Sequence, residues 1–162
     1  KFFGSWGSVN PLLDKCLEQK KRLTITNPEM TRFMLNLSEA IDLVFYSVKH
    51  GKGGEIFVKK APATKMTNLA TAYAELKTGK KNYPLEYIGI RAGEKIDEVL
   101  VSEEEMRHVK EEKDHFIVKR EAVIDKTFVK KSTKFSEYGS GTVKHLNIEE
   151  LKLMMKKLKW VI

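Results

Sequence analysis

Two arginines and one glutamate are the residues of this sequence whose types and surroundings could bind a charged ligand. Arg32 lies among apolar neighbours in the segment 28–33, where a buried guanidinium needs a partner of opposite charge. Arg91 and Glu94 lie in the segment 89–95, directly after a predicted strand. A planar guanidinium matches the geometry of a phosphate group. The carboxylate could accept hydrogen bonds from sugar hydroxyls.

Each of these segments also has a purely structural interpretation. Arg32 could pair with a carboxylate of the protein, such as Glu29 or Asp42, and its local sequence slightly favours that alternative. The segment around Arg91 could equally be a polar turn with a local ion pair. The small residues at 4–9 would let a ligand approach the backbone, but an ordinary surface loop has the same composition. No segment alone therefore identifies a binding site.

Several patterns that are associated with catalysis or metals do not hold in this sequence. Tyr73 and Lys77 have the Tyr-x-x-x-Lys spacing, but the tyrosine falls within an amphipathic helix where it could simply pack. The glycines at 51–54 and 139–141 do not follow a strand and open a helix, as a dinucleotide fingerprint requires. The histidines are too scattered for a short metal motif, and Cys16 has no cysteine partner. We therefore predict no catalytic residue and no metal site.

The composition is that of one ordinary globular domain. The chain has 162 residues, of which 41% are hydrophobic and 32% charged, with a net charge of +8. The lysine pairs are scattered and do not alternate with aromatic residues, so a nucleic-acid surface is not favoured. The sequence contains neither an apolar run long enough to cross a membrane nor a recognisable signal peptide, and Cys16 is its single cysteine. We expect a cytoplasmic protein without membrane insertion.

Hydrophobic periodicity and turn residues predict strands that alternate with helices, which indicates an α/β chain. The helix over 36–49 carries an apolar stripe that should be buried, formed by Ile41, Val44, Phe45 and Val48. The predicted elements are a helix over 11–21, a strand over 23–26, the helix over 36–49, a strand over 55–58, a helix over 67–77, a strand over 85–90, a helix or turn over 94–101, β-structure at 116–118, 122–124 and 128–129, and a final helix capped by Asn147. Ser38 can cap the helix over 36–49, His50 and Gly51 end it, and Gly79 ends the helix over 67–77. The apolar face of the final helix is formed by Leu151, Met154, Met155 and Leu158.

Taken in order, the segments resemble one family. They are Gly-Ser-Trp-Gly-Ser-Val-Asn-Pro-Leu at 4–12, Leu-Thr-Ile-Thr-Asn-Pro-Glu-Met-Thr-Arg-Phe at 23–33, Gly-Lys-Gly-Gly-Glu-Ile-Phe-Val at 51–58 and Ile-Gly-Ile-Arg-Ala-Gly-Glu-Lys at 88–95. The chain resembles the polysaccharide-biosynthesis UDP-N-acetylglucosamine 4,6-dehydratases and the related capsular-polysaccharide epimerases. These enzymes are extended short-chain dehydrogenase/reductases. The resemblance covers nearly the whole chain.

The resemblance implies a fold and a division of labour. Residues 1–162 would be a single carboxy-terminal, substrate-binding portion of an extended Rossmann-type enzyme, with the last strands of the sheet and a smaller lobe. The amino-terminal portion, which binds NADP and carries the catalytic Tyr and Lys, has no counterpart in this sequence. NADP would therefore serve the intact enzyme, and we expect no cofactor to bind this chain alone.

The resemblance also implies roles for individual residues. Arg32 and Arg91 would contact the diphosphate of a UDP-sugar, and Glu94 would contact the ribose hydroxyls. The 4–12 loop and the helix start would border the uridine and the sugar, through Ser8, Val9, Pro11 and Leu12. Two departures from the family pattern are Trp6, where a basic residue is expected, and Ala92, where proline is usual.

We therefore expect the UDP-sugar-binding part of a nucleotide-sugar 4,6-dehydratase of the UDP-N-acetylglucosamine type, in surface polysaccharide biosynthesis and without catalysis of its own. The alternatives are a fragment of a UDP-sugar 4-epimerase and a non-catalytic assembly subunit that partners a Rossmann chain. A basic nucleic-acid binder is the weakest alternative. We expect the chain to associate with a missing amino-terminal portion or to form a homo-oligomer.

Overall fold

The computed structural model describes residues 9–119 and 135–159, and this part of the chain contains helices and short strands in a mixed order. The helices are α1 Val9–Glu18, α2 Leu37–His50, α3 Met66–Thr78, α4 Glu103–Met106 and α5 Ile148–Lys157. The strands are β1 Leu23–Ile25, β2 Thr31–Phe33, β3 Ile56–Lys59, β4 Ala63–Lys65, β5 Leu85–Tyr87, β6 Val99–Val101, β7 Val109–Glu111, β8 His115–Val118 and β9 Tyr138–Gly139. None of these helices is long and apolar enough to cross a membrane.

The first hydrophobic core lies where a parallel strand pair meets three helices. Strands β1 and β5 run parallel, with Leu23 opposite Leu85. Apolar positions that recur on one face of α1, α3 and α5 close over this pair. The buried members are Leu13, Cys16, Leu23, Ile25, Met34, Leu69, Ala70, Ala72, Tyr73, Ala74, Leu151 and Met155. The predicted α/β class is thereby confirmed, and so is the burial of Leu151 and Met155 on the last helix.

A second core lies under the antiparallel sheet with strand order β3-β8-β7. Its buried residues are Val58, Val101, Val109, Phe116 and Val118. Tyr138 on β9 packs its ring against Phe116, with 4.9 Å between ring centroids. The hydroxyl of Tyr138 accepts a hydrogen bond from the Ala61 amide at 2.8 Å and donates one to the Ala61 carbonyl at 3.0 Å. This side chain therefore joins the segment after β3 to β9.

The helix ends follow local capping chemistry. Asn147 caps α5 as predicted, and Glu150 completes its capping box. The cap of α2 is Asn36 and not the predicted Ser38, because the Asn36 side chain accepts from the Glu39 amide and the Glu39 carboxylate accepts from the Asn36 amide. Helix α2 ends before Gly51 as expected, but this glycine is extended, with φ −68°. Glycine is required at position 51 because the backbone of Ser47 lies close to it: a Cβ there would be 2.6 Å from the Ser47 carbonyl oxygen.

Tertiary pairing overrides the local sequence signal in the middle of the chain. The segment predicted as a helix or turn over 94–101 contains strand β6, because Val99 and Val101 pair with β9. The strand predicted over 85–90 ends at Tyr87. The helix predicted to start at Pro11 already begins at Val9. The predicted strands at 122–124 and 128–129 lie outside the described residues.

The predicted buried stripe of α2 is wrong. Ile41, Val44, Phe45 and Val48 are all exposed, and no residue of α2 is classed as buried. The helix instead rests on the sheet through Tyr46, whose ring lies 4.4 Å from the ring of His115 and 6.0 Å from that of Phe57, measured between centroids. The apolar stripe points away from this contact.

His115 makes stability depend on pH. It is buried on β8 beside Tyr46, and its Nε2 has no hydrogen-bond partner among the described residues. Burial lowers the pKa of His115 below 6.5, and the charges of Lys59 and Lys60 act in the same direction against Glu112 and Asp114. The folded state therefore prefers the neutral ring.

The free energy of unfolding should fall as the pH drops below about 6.5, because the unfolded chain then binds a proton that the folded chain resists. Carboxyl groups with lowered pKa values, such as Glu105 and Glu150, reduce the free energy of unfolding only when the pH falls to the ordinary carboxyl pKa of about 4.5 and below. Urea unfolding between pH 7 and pH 5 measures the effect. His115→Phe should flatten the dependence of the free energy of unfolding on pH in this range, and an unchanged slope in that variant would contradict the role of His115.

Candidate functional site

The candidate site lies at the carboxyl ends of the parallel strands β1 and β5. In α/β folds, loops at this edge of a sheet form ligand sites. The chain leaves β1 at Ile25 and soon enters β2, which carries Arg32. It leaves β5 at Tyr87 and continues into the loop that carries Arg91 and Glu94. The Ile88 amide still donates to the Ile25 carbonyl at 3.0 Å, so the two loops diverge from adjacent backbone.

Arg91 and Glu94 are the ends of one tight turn. The Glu94 amide donates to the Arg91 carbonyl at 3.1 Å, and the Arg91 amide donates to Glu94 Oε2 at 3.1 Å. Gly93 has φ 83°, the left-handed conformation that a type II turn requires at its third position. Ala92 occupies the second position, where proline is favoured. The turn is exposed, and the Arg91 side chain has neither a hydrogen-bond partner nor an ion-pair partner among the described residues.

The Arg32 side chain holds the backbone that directly follows the Arg91 turn. Its Nη1 donates to the carbonyls of Thr31 at 2.6 Å and Ile96 at 2.9 Å, and its Nη2 donates to the Lys95 carbonyl at 2.8 Å. Its Nε lies 3.5 Å from a carboxylate oxygen of Glu98. The carboxylate partner is therefore Glu98 and neither Glu29 nor Asp42. A guanidinium has five N–H groups. These contacts leave one N–H of Arg32 Nη2 without a hydrogen-bond partner among the described residues.

A buried hydroxyl network anchors the far end of the same loop. The Thr31 hydroxyl donates to Asp97 Oδ1 at 2.6 Å and shares a hydrogen bond with the Ser140 hydroxyl at 2.6 Å. The Ser140 hydroxyl also accepts from the Glu98 amide at 2.8 Å. A Cβ on Gly141 would lie 2.6 Å from the Asp97 carboxylate, so a larger residue there would require Asp97 to move away from its bond with Thr31.

Sequence reasoning missed this network. Its only signals were a threonine directly before Arg32 and a serine between the glycines at 139 and 141, and neither signal is specific. Ser140 and Thr31 are both buried, although they are far apart in sequence. Only the fold brings them together, because β2 precedes the loop in sequence and the turn after β9 follows it.

Three of the other predicted binding residues, Val9, Pro11 and Leu12, lie at the start of α1. Ser8 is outside the described residues, and Val9 is the first residue of the helix. Pro11 and Leu12 are exposed on its first turn, so both are accessible to a ligand. Their contact with the uridine or the sugar stays a prediction.

The Tyr-x-x-x-Lys pair is part of the core and not of the site. Tyr73 is buried on α3, and its hydroxyl donates to Asp14 Oδ1 at 2.8 Å. Lys77 Nζ lies 3.7 Å from the same carboxylate oxygen. Burial, followed by the hydrogen bond and charge of Asp14, raises the pKa of Tyr73 well above its ordinary value. A general base at neutral pH would need the opposite shift.

The described residues do not provide a dinucleotide cradle. Gly53 and Gly54 have φ 97° and 82°, but they form the turn from helix α2 into strand β3, the reverse of the strand-to-helix order that binds a pyrophosphate. Within 9–119 and 135–159 there is also no group of three metal-binding side chains. The glycines at 53 and 54 therefore do not form a dinucleotide-binding turn.

A profile of the family described as "Polysaccharide biosynthesis protein" matches residues 2–120. This range contains the whole turn at Arg91 and the Arg32 strand. Among curated proteins, a "UDP-glucose 4-epimerase" from Rickettsia felis is 42% identical, and one from Rickettsia rickettsii is 40% identical, each over 163 aligned residues that cover 97% of this chain. The alignments cover 47% of each relative, so the chain spans about half the length of these proteins.

A solved structure has the same fold. The "X-ray structure of Pen from Bacillus thuringiensis" superimposes on the chain with a TM-score of 0.84 and 30% sequence identity. The match covers 100% of this chain and 48% of the Pen chain. The similarity therefore extends through the loop that Arg32 and Ser140 hold in place.

Proposed function

Because the chain belongs to the polysaccharide biosynthesis protein family, as the carboxy-terminal part of an extended short-chain dehydrogenase/reductase, we propose that it forms the UDP-sugar-binding part of a nucleotide-sugar enzyme. The observation that carries the proposal is the Arg91 turn, whose hydrogen-bonded backbone presents an exposed guanidinium at the carboxyl ends of a parallel strand pair. Such a fork donates two parallel hydrogen bonds to a phosphate.

The turn offers different chemistry to different parts of a nucleotide. Arg91 would bind the diphosphate, and the Glu94 carboxylate, which already accepts from the Arg91 amide, would accept from ribose hydroxyls with its remaining lone pairs. Arg32 would add its remaining N–H to the diphosphate while it holds the carbonyls of Lys95 and Ile96. A net charge of +8 favours the approach of a dianionic ligand.

The reaction of the intact enzyme is a finer proposal. The names of the Rickettsia relatives support a UDP-sugar 4-epimerase, which was the alternative to the 4,6-dehydratase expected from the sequence. Both reactions require a nicotinamide cofactor, which would bind the amino-terminal portion of the intact enzyme. We propose that this chain contributes substrate binding alone and works in surface polysaccharide biosynthesis in the cytoplasm.

UDP binding to the purified chain tests the proposal. UDP should raise the melting temperature, because a ligand at one hundred times its Kd stabilises the folded state by about 2.7 kcal/mol. Arg91→Ala should weaken the binding of UDP about tenfold or more, because it removes charge-assisted hydrogen bonds of roughly 1.5–3 kcal/mol. Titration calorimetry measures both affinities.

Arg107→Ala is the matched control, because Arg107 is also an exposed arginine but pairs with Glu104 on α4. It should bind UDP like the unaltered chain. Equal losses in the two variants would show that UDP responds to net charge and not to the turn. No stabilisation by millimolar UDP would refute the retained site.

A further inference from the structure

Helix α2 exposes an apolar face that the described residues leave uncovered. Ile41, Val44, Phe45 and Val48 follow the i, i+3, i+4, i+7 spacing of one helical face, yet Phe45 is 70% and Val48 79% exposed. Single exposed apolar residues are common on protein surfaces, but a contiguous helical stripe marks an interaction site. The side that packs on the protein's own sheet is the one that carries Tyr46.

The exposed face continues onto strand β3. A groove of about 490 Å³ runs between the two elements, and Val44, Val48 and Ile56 line it together with Phe57. Ile56 is itself an exposed large apolar residue. Among the described residues, β3 pairs with β8 on one side only, so its other edge has backbone groups that no described strand pairs with. We call α2 and β3 with this groove the α2–β3 face.

We propose that the α2–β3 face docks the amino-terminal half that the relatives of this chain carry. The chain aligns over 97% of its own length with only 47% of the Rickettsia epimerases, so these relatives contain about as many residues again. A half of that size needs an apolar surface on this one, since halves of one enzyme associate through buried area of roughly 600–1,500 Å². The free edge of β3 adds backbone groups that can pair with a strand.

The charges around the face do not favour a membrane as its occupant. A helix that lies on a lipid surface carries an excess of lysine and arginine on its polar side. Helix α2 has Glu39 and Asp42 as well as Lys49 and His50. The inference rests on family membership and the exposed face, not on the UDP site, so a chain that fails to bind UDP could still dock.

The test is co-expression of this chain, carrying an affinity tag, with the amino-terminal half of the Rickettsia rickettsii relative. The unaltered chain should retain that half on the affinity resin. Phe45→Glu should reduce retention at least tenfold, because a charge at the centre of an apolar interface is left without a partner. Val48→Glu should act in the same direction.

Leu153→Glu is the matched control, because Leu153 on α5 is also 70% exposed but lies outside the α2–β3 face. It should retain the amino-terminal half within about twofold of the unaltered chain. All three variants should melt at the same temperature when alone, since each altered side chain is already in solvent. Retention by Phe45→Glu equal to that of the control, or no retention by the unaltered chain, would overturn the proposal. A homodimer that Phe45→Glu dissociates would identify a second copy as the occupant instead.

Discussion

Replacing Arg32 with methionine is expected to weaken UDP binding about tenfold to a hundredfold, although most of its guanidinium faces the protein. The side chain donates hydrogen bonds to the carbonyls of Thr31, Lys95 and Ile96 and lies beside Glu98. Hydrogen bonds to a charged group contribute about 1.5–3 kcal/mol each. Their loss frees the loop that presents Arg91, and the ligand then has to supply the cost of ordering it.

A lysine at position 32 and the hydrogen exchange of the loop distinguish the ordering role of Arg32 from a general effect of its charge. Arg32→Lys keeps the charge but cannot supply a planar fork to three carbonyls, so it should restore little of the affinity. Hydrogen exchange of residues 91–98 should be faster in both variants. Lys65→Met removes a nearby surface ion pair with Glu29 and should leave exchange and UDP affinity unchanged. UDP binding by Arg32→Met at the affinity of the unaltered chain would contradict the role.

The sequence was sufficient to predict the elements whose signals are local. The capping box at Asn147 and the buried face of α5 depend on residues a few positions apart, and both are confirmed. Gly79 ends α3 in the left-handed conformation for the same reason. The family resemblance is confirmed as well, because it rests on several ordered segments rather than on one pattern.

The incorrect predictions have one physical cause, which is that the residues that pair in the fold lie far apart in the sequence. Strand β6 was missed because its pairing partner, β9, lies far along the chain. The carboxylate partner of Arg32 is Glu98, and local sequence favoured Glu29 or Asp42. The stripe of α2 was read correctly as apolar, but periodicity reports only that a face requires a partner. It does not report whether the same chain provides that partner.

The candidate site shows the same limit. The sequence singled out Arg91 and Glu94, and the structure joins them in one turn through reciprocal hydrogen bonds. It gave no reason to select Thr31 or Ser140, because a hydroxyl is informative only when its acceptor is known. Side chains whose type suits a charged ligand are thus easier to recognise from sequence than those that hold the loop.

Replacing Tyr73 with alanine should be the most destabilising single change considered for this chain, with a loss of about 3–5 kcal/mol. The ring is buried in the same core cluster as the fully buried Leu13 and Leu69, so its removal leaves a cavity in the first hydrophobic core. Because a domain has only about 5–15 kcal/mol of stability, much of the chain could unfold near 37 °C. Urea denaturation measures the change.

Tyr73→Phe isolates the hydroxyl and decides whether the Tyr-x-x-x-Lys spacing has any functional meaning. The variant should lose only about 1 kcal/mol, the net value of one hydrogen bond, since Asp14 keeps Lys77 nearby. Its affinity for UDP should equal that of the unaltered chain, because the hydroxyl is directed at α1 and not at the Arg91 turn. A tyrosine that served the ligand would show the reverse, with stability retained and UDP affinity reduced. The raised pKa of Tyr73 already favours the structural role, because it keeps the phenol protonated as the donor that Asp14 requires.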